Sequence, residues 1–293
     1  MERMEKQARP GPSTPVLLAL ALVFFLSSGA ACDRTAPAPA PASQAPSPPQ
    51  APAPSSRERA PSAGPTSGEA AGVHYLEIVT GRADPASELP LVMAIHGLGD
   101  RPENFAPVLS DLDEPARLIV PRGLSAYGDG FSWFPFRGEL REEALERGVR
   151  ASAQALAKAL EALQKTRPTR GRPIVTGFSQ GGALSFALAV LHPTSVAASI
   201  PVGGWVAFPL PKEAPASPRP PITALHGATD SLIPVAPTRG SVASLKALGF
   251  EAELREFPGV GHTIPEPMRR ELLGLVGAAV KAQAAKPGAA PAP

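Results

Sequence analysis

From about residue 72 to residue 285, two kinds of apolar pattern alternate along the chain. The first kind is short. Residues 73–79 alternate apolar and polar side chains, whereas 91–95, 117–120, 174–176, 196–200 and 222–225 are nearly continuous runs of Val, Ile, Leu, Met and Ala, and 252–257 is mixed. Such runs read as strands. The second kind is longer and helix-spaced: 139–164, 183–191, 237–248 and 267–283 carry Ala, Leu, Glu and Lys with apolar positions three and four apart. Pro121, Pro193 and Gly249 stand where these segments should stop.

Strands that are apolar on both faces, interleaved with helices, predict an α/β fold: a mostly parallel central sheet covered by helices on both faces. A sheet of that kind puts ligands beyond the carboxyl ends of its strands. The polar and glycine-rich motifs here lie at those ends.

One of them is Gly177-Phe178-Ser179-Gln180-Gly181, directly after the strand at 174–176 and at the head of the next helix. A G-x-S-x-G in a strand–turn–helix setting is a nucleophile elbow: a tight, strained turn that lifts a serine above the sheet edge, with glycines where flanking residues approach closely. A serine needs a base, and elbow architecture places Asp or Glu and then His later in the chain. After Ser179 the chain has a single aspartate, Asp230, and after Asp230 a single histidine, His262. Both follow predicted strands. Each alone has an ordinary reading, as a turn residue or a loop histidine; their joint order and placement point to a catalytic set.

The remaining histidines fit this role less well. His74 is on the first predicted strand, His192 at the far end of the helix behind Ser179, and His96 and His226 precede glycines at strand ends, where side-chain to backbone hydrogen bonds shape loops. Asp100 precedes the serine and breaks the order. For an oxyanion hole the elbow offers the backbone N–H of Gln180, and the loop His96-Gly97-Leu98-Gly99-Asp100 offers that of Leu98; a simple tight turn is the alternative reading of that loop. Phe131, Trp133, Phe134 and Phe136 cluster in a predicted loop, and Trp205 follows Gly203-Gly204. Trp133, Phe134 and Trp205 are candidates for a substrate-binding wall, or for a seal over the core.

Together with Pro121-Arg122-Gly123, Trp133-Phe134, His226-Gly227-Ala228-Thr229-Asp230, Ile233-Pro234 and Gly261-His262, these motifs resemble the phospholipase/carboxylesterase family of α/β-hydrolases, which includes acyl-protein thioesterases and bacterial carboxylesterases. The resemblance runs from Pro90 to Val276. It implies an α/β-hydrolase fold, a Ser179–Asp230–His262 triad, an oxyanion hole from Leu98 and Gln180, hydrolysis of a small-molecule ester, and no metal or organic cofactor.

Before this segment the composition changes. Arg3, Lys6 and Arg9 precede eleven uninterrupted apolar residues at 16–26, which span about 16 Å as a helix against a hydrocarbon core of ~30 Å. Small residues follow, ending in Cys32, the only cysteine, which excludes an intrachain disulfide. A basic start, a short apolar run and small residues form an export signal over 1–31. Gly29-Ala30-Ala31-Cys32 resembles a bacterial lipobox, departing from it at Gly29 where leucine is usual; cleavage after Ala30 without lipid is the alternative. The resemblance implies acylation of Cys32, and so an exported protein held to a membrane at the periplasm or cell surface. Ten of the 38 prolines fall in 33–66, so 32–70 reads as an extended tether, 71–285 as the catalytic domain and 286–293 as a tail. The net charge of +2 comes from the first 67 residues; from Gly68 onward 22 basic residues balance 22 acidic ones, which argues against nucleic acid as a partner. Rival readings are an exported polyester- or feruloyl-type esterase and an inactive hydrolase fold that only binds.

Overall fold

The structure is a computed structural model and describes residues 64–135, 142–213, 215 and 217–286. The expected signal over 1–31, Cys32, most of the tether, Phe136 and the end of the tail lie outside the described residues. The chain divides between Arg59 and Ala60, and all described residues belong to the second unit.

Among the described residues, ten strands and five α-helices follow in the order β1 (Thr66–Ala70), β2 (Val73–Val79), β3 (Leu91–Ile95), α1 (Pro102–Phe105), β4 (Arg117–Pro121), β5 (Ser125–Tyr127), β6 (Gly130–Ser132), α2 (Glu142–Thr166), β7 (Ile174–Phe178), α3 (Gln180–Leu191), β8 (Ala198–Val202), β9 (Ile222–Gly227), α4 (Val235–Ala247), β10 (Ala252–Phe257) and α5 (Glu266–Ala284). Eight strands form one sheet in the order β1-β2-β4-β3-β7-β8-β9-β10. From β4 to β10 every neighbouring pair is parallel; β1 and β2 add an antiparallel edge. This is the mostly parallel, helix-covered sheet that the alternating pattern predicts, in the α/β-hydrolase fold that the resemblance implies.

The period-2 alternation of a strand divides its side chains between two cores. In β3, Leu91, Met93 and Ile95 enter one core, and Val92 and Ala94 the other. Ile119 and Val175 join the first; Leu118, Val120 and Ile174 join the second. Helix α2 covers the first face with a stripe of Val149, Ala153, Leu156, Leu160 and Leu163, and α5 covers the second with Met268, Leu272, Val276 and Val280. Helix α3 is apolar all round because the sheet lies on one side of it and α2 on another; its residues 180–190 are all buried. Near the antiparallel edge, the buried Arg117 of β4 pairs with Glu77 of β2, whose carboxylate also accepts from Arg167 Nε at 3.1 Å.

Several expectations need correction. The expected tether runs too far, since Thr66–Ala70 is a strand paired antiparallel with β2. Its sequence, TSGEA, has no apolar signature; the pairing with β2 makes it a strand, and Gly68 leaves room for the Tyr75 ring. The stretch expected to be a loop at 125–132 is the β5–β6 hairpin, whose strands of three residues are too short to show a period. The strand expected at 196–200 is Ala198–Val202, and those expected at 174–176 and 222–225 extend to Phe178 and Gly227.

Candidate active site

Parallel pairing aligns the carboxyl ends of β3, β7, β9 and β10 along one edge. At that edge β7 passes into α3 with no intervening loop, and Ser179 sits at the junction with φ 57° and ψ −113°. A residue with a Cβ adopts such a backbone at a cost of order 1–3 kcal/mol. The surroundings force it. A Cβ on Gly177 would lie 2.5 Å from the Gly181 carbonyl oxygen and 2.7 Å from that of Ile95, and a Cβ on Gly181 would collide with the Ile95 carbonyl. Only a chain bare at both positions packs this closely on the end of β3.

Asp230 and His262 reach the serine from the loops beyond the last two strands of the sheet. Asp230 follows β9 and is buried; His262 follows β10 and is partly buried. Their loops are joined by backbone bonds from Thr229 N–H to the Val260 carbonyl (3.0 Å) and from Ala228 N–H to that of Phe257 (2.9 Å). The His262 ring lies against Phe178, with centroids 4.7 Å apart. His262 Nδ1 is 2.6 Å from Asp230 Oδ2, and His262 Nε2 is 3.0 Å from Ser179 Oγ. A carboxylate only accepts, so Nδ1 carries the proton and Nε2 presents its lone pair to the serine hydroxyl. Asp230 Oδ1 accepts from the N–H groups of Leu232 (3.0 Å) and Ile233 (2.8 Å), which hold the carboxylate in place. The three residues expected from chain order are thus in one hydrogen-bonded line. Asp100 is not in it; its Oδ1 accepts from the Arg101 N–H. His74 pairs with Glu69 at 3.4 Å, and His192 caps the far end of α3.

The loop after β3 lies against the elbow: a Cβ on Gly97 would be 3.4 Å from that of Ser179. His96 is fully buried, and both ring nitrogens have partners of fixed kind. Nδ1–H donates to the Gly97 carbonyl (2.7 Å), and Nε2 accepts from Gly123 N–H (3.0 Å). The expectation that His96 shapes its loop through backbone hydrogen bonds matches this geometry. In a trans peptide the C=O and the next N–H point oppositely, so the grip on the Gly97 carbonyl also sets the direction of the Leu98 N–H. The neighbouring donors Gly99 and Asp100 are spent on the carbonyls of Phe131 and Gly97. The N–H of Gln180, at the first position of α3, has no intrahelical acceptor.

The Gln180 side chain has a task that its place in the motif does not reveal. It is buried, with Oε1 accepting from Trp133 N–H (3.0 Å) and Nε2 donating to the Phe134 carbonyl (2.8 Å). Ser152 of α2 donates to the Trp133 carbonyl (2.6 Å), and Trp133 Nε1–H donates to the His96 carbonyl (3.0 Å). Trp133 and Phe134, expected as part of a substrate wall or of a seal over the core, take the second role: they are 3% and 2% exposed and belong to the core on the α2 face. They brace the elbow and the loop after β3 from behind. Trp205 packs against the same core but stays half-buried.

Comparison with known proteins shows the family to which the chain belongs. Residues 74–273 match the phospholipase/carboxylesterase family, and the chain belongs to that family. A probable carboxylesterase of Oryza sativa subsp. japonica is 26% identical over 202 residues, covering 62% of this chain and 74% of that protein. Acyl-protein thioesterase 1 of Gibberella zeae is 24% identical over 206 residues, covering 60% and 85%. Among solved structures, that of esterase PE8 has a TM-score of 0.58 at 24% identity, covering 68% of this chain and 97% of that one, a likeness of fold.

Two predictions follow from the packing at the elbow and beside it. Gly177→Ala forces the backbone of 177, 181 and 95 apart; stability should fall by about 1–3 kcal/mol in urea denaturation. Gly240→Ala, where a Cβ meets nothing within 4 Å, should be neutral or slightly stabilising. The second concerns His96, whose burial lowers its pKa from the ordinary 6.5. Below that value the unfolded chain takes up a proton that the folded chain does not. Stability from this group is therefore present above pH 6.5 and lost as pH falls toward the folded pKa. Urea midpoints measured from pH 7.5 to 5 should decline less in His96→Gln than in the unsubstituted protein.

Proposed function

We propose that this protein is a serine hydrolase that cleaves carboxylic esters, thioesters included, through an acyl-enzyme. The observation that carries this reading is the line from Ser179 Oγ to His262 Nε2 (3.0 Å) and from His262 Nδ1 to Asp230 Oδ2 (2.6 Å) beside a strained elbow. Membership of a family whose members include proteins named carboxylesterase and acyl-protein thioesterase supports it.

In this mechanism His262 Nε2 takes the proton of Ser179 as Oγ attacks the acyl carbonyl. Asp230 holds the ring in the required tautomer and stabilises the imidazolium. The carbonyl oxygen becomes an oxyanion, accepting from the N–H groups of Leu98 and Gln180. His262 then protonates the leaving alcohol or thiol as its bond to the acyl carbon breaks. Water, deprotonated by the same nitrogen, attacks the acyl-serine; the carboxylic acid leaves and Ser179 regains its proton. The two large apolar side chains most exposed among the described residues, Leu124 and Leu232, both follow strand carboxyl ends. That placement favours an apolar acyl group, with Trp205 as the remaining aromatic candidate for its wall.

The test uses a fluorophosphonate probe and p-nitrophenyl esters of graded chain length. The unsubstituted protein should be labelled and should turn the esters over, whereas Ser179→Ala should lose labelling and roughly 10⁴-fold or more in kcat. Equal labelling and turnover by both proteins would remove Ser179 as the nucleophile.

We also propose that the protein is exported and anchored through acylated Cys32, on the strength of the basic, apolar and small-residue pattern ending at that residue. Mass spectrometry of the mature N-terminus should show diacylglyceryl cysteine; an unmodified chain starting at Ala31 would rule the anchor out.

A further inference from the structure

A second histidine touches the carboxylate of the candidate triad. His226, the penultimate residue of β9, is fully buried, and its Nε2 lies 2.8 Å from the Ile233 carbonyl oxygen and 3.5 Å from Asp230 Oδ2. Both neighbours only accept, so Nε2 carries a proton and donates into the turn that holds Asp230. The same turn is closed from within by Asp230 Oδ1, which accepts from the amides of Leu232 and Ile233. The segment 230–233 is therefore pinned at both ends, with His226 supplying the outer pin.

The other ring nitrogen leads toward the serine. His226 Nδ1 is 3.1 Å from Thr238 Oγ1 on α4, which also lies 2.7 Å from the Gly204 carbonyl oxygen; both are acceptors, so the single Thr238 hydroxyl proton serves one of them at a time. Thr238 is fully buried. Gly204 packs on the backbone of Gly182, in the first turn of α3: a Cβ on Gly204 would lie 2.5 Å from the Gly182 carbonyl carbon. A buried polar bridge thus runs from the acid's turn through His226 and Thr238 to the helix that begins at Ser179. Of the charged groups packed near it, Glu256, paired with His226 across β9 and β10, is engaged by Arg239, and His262 occupies the remaining near side of Asp230 Oδ2.

We infer that His226 is a positioning residue for the reaction: through its bond to the Ile233 carbonyl it fixes the turn that aims the Asp230 carboxylate at His262, and through its contact with Thr238 it fixes the distance from that turn to the elbow. The inference rests on the triad reading. His226 does not reach the substrate, and it acts only through Asp230.

The experiment compares His226→Leu, His226→Gln and Thr238→Val with the unsubstituted protein, using a p-nitrophenyl ester from pH 5 to 9, with melting temperature and fluorophosphonate labelling measured in parallel. His226→Leu should lose 10- to 100-fold in kcat with KM within twofold. The acid limb of its kcat/KM profile should move to higher pH, because a carboxylate that has lost the N–H dipole 3.5 Å away attracts the His262 proton more strongly. His226→Gln, which can restore an N–H donor, should regain a large part of kcat, and Thr238→Val should lose a few-fold. A lowered melting temperature with an unmoved acid limb, or glutamine no better than leucine, would overturn the inference. If His226→Leu does not fold, Thr238→Val decides: a folded variant with unchanged kcat overturns it. Loss of labelling in the unsubstituted protein would instead be a failure of the serine hydrolase reading, which separates the two.

Discussion

The contact on which this site depends is between backbones. Gly177 and Gly181 close on each other and on the last carbonyl of β3, leaving no volume for a Cβ at either position. That closeness allows β7 to turn directly into α3 and holds Ser179 at positive φ, with its hydroxyl at the sheet edge. The conformation is unfavourable for serine and persists because the sheet and a fully buried helix over-determine it. Since the carbonyl in question belongs to Ile95, the residue before His96, the same contact sets the distance between the elbow and the loop offered for the oxyanion.

Around that contact the protein spends buried hydrogen bonds on rigidity. Gln180 clamps the Trp133–Phe134 backbone, Ser152 holds it from α2, and Trp133 returns a bond to the His96 carbonyl. Each buried polar group in this set has a partner, so the set costs little in desolvation and orients the loops. On the other side, the Asp230 and His262 loops are bonded to each other, and Gly227 lets the backbone at Val260 and Gly261 come close. Loops at a sheet edge are ordinarily the soft part of a fold. Here they are tied back to strands and helices, as expected where reacting groups must be held within a fraction of an ångström.

Much of this was legible in the chain. The apolar runs of β3 and β4 and the stripe of α2 are strong because two buried faces or one long face leave a regular mark. The elbow and its partners were legible because turn chemistry and chain order leave few candidates: one aspartate after the serine and one histidine after that. The polar strand Thr66–Ala70 and the three-residue strands of the hairpin left no such mark, because they owe their form to pairing with a neighbour. The two readings of Trp133 and Phe134 stayed open in the sequence for a related reason. Composition shows that Trp133 and Phe134 are large and apolar but not which way they face.

The sequence by itself determined the alternation of strands and helices, the elbow and the identity of the three groups brought to it, because each is encoded by local periodicity or by residue type at fixed spacing. Only the tertiary structure decided that Gln180 grips a distant backbone, that Arg117 finds Glu77 inside the sheet edge, and that His226 lies 3.5 Å from the carboxylate that His262 binds. Those contacts join residues whose separation along the chain carries no period. They exist because parallel strands with long crossovers deliver loops from many parts of the sequence to one edge.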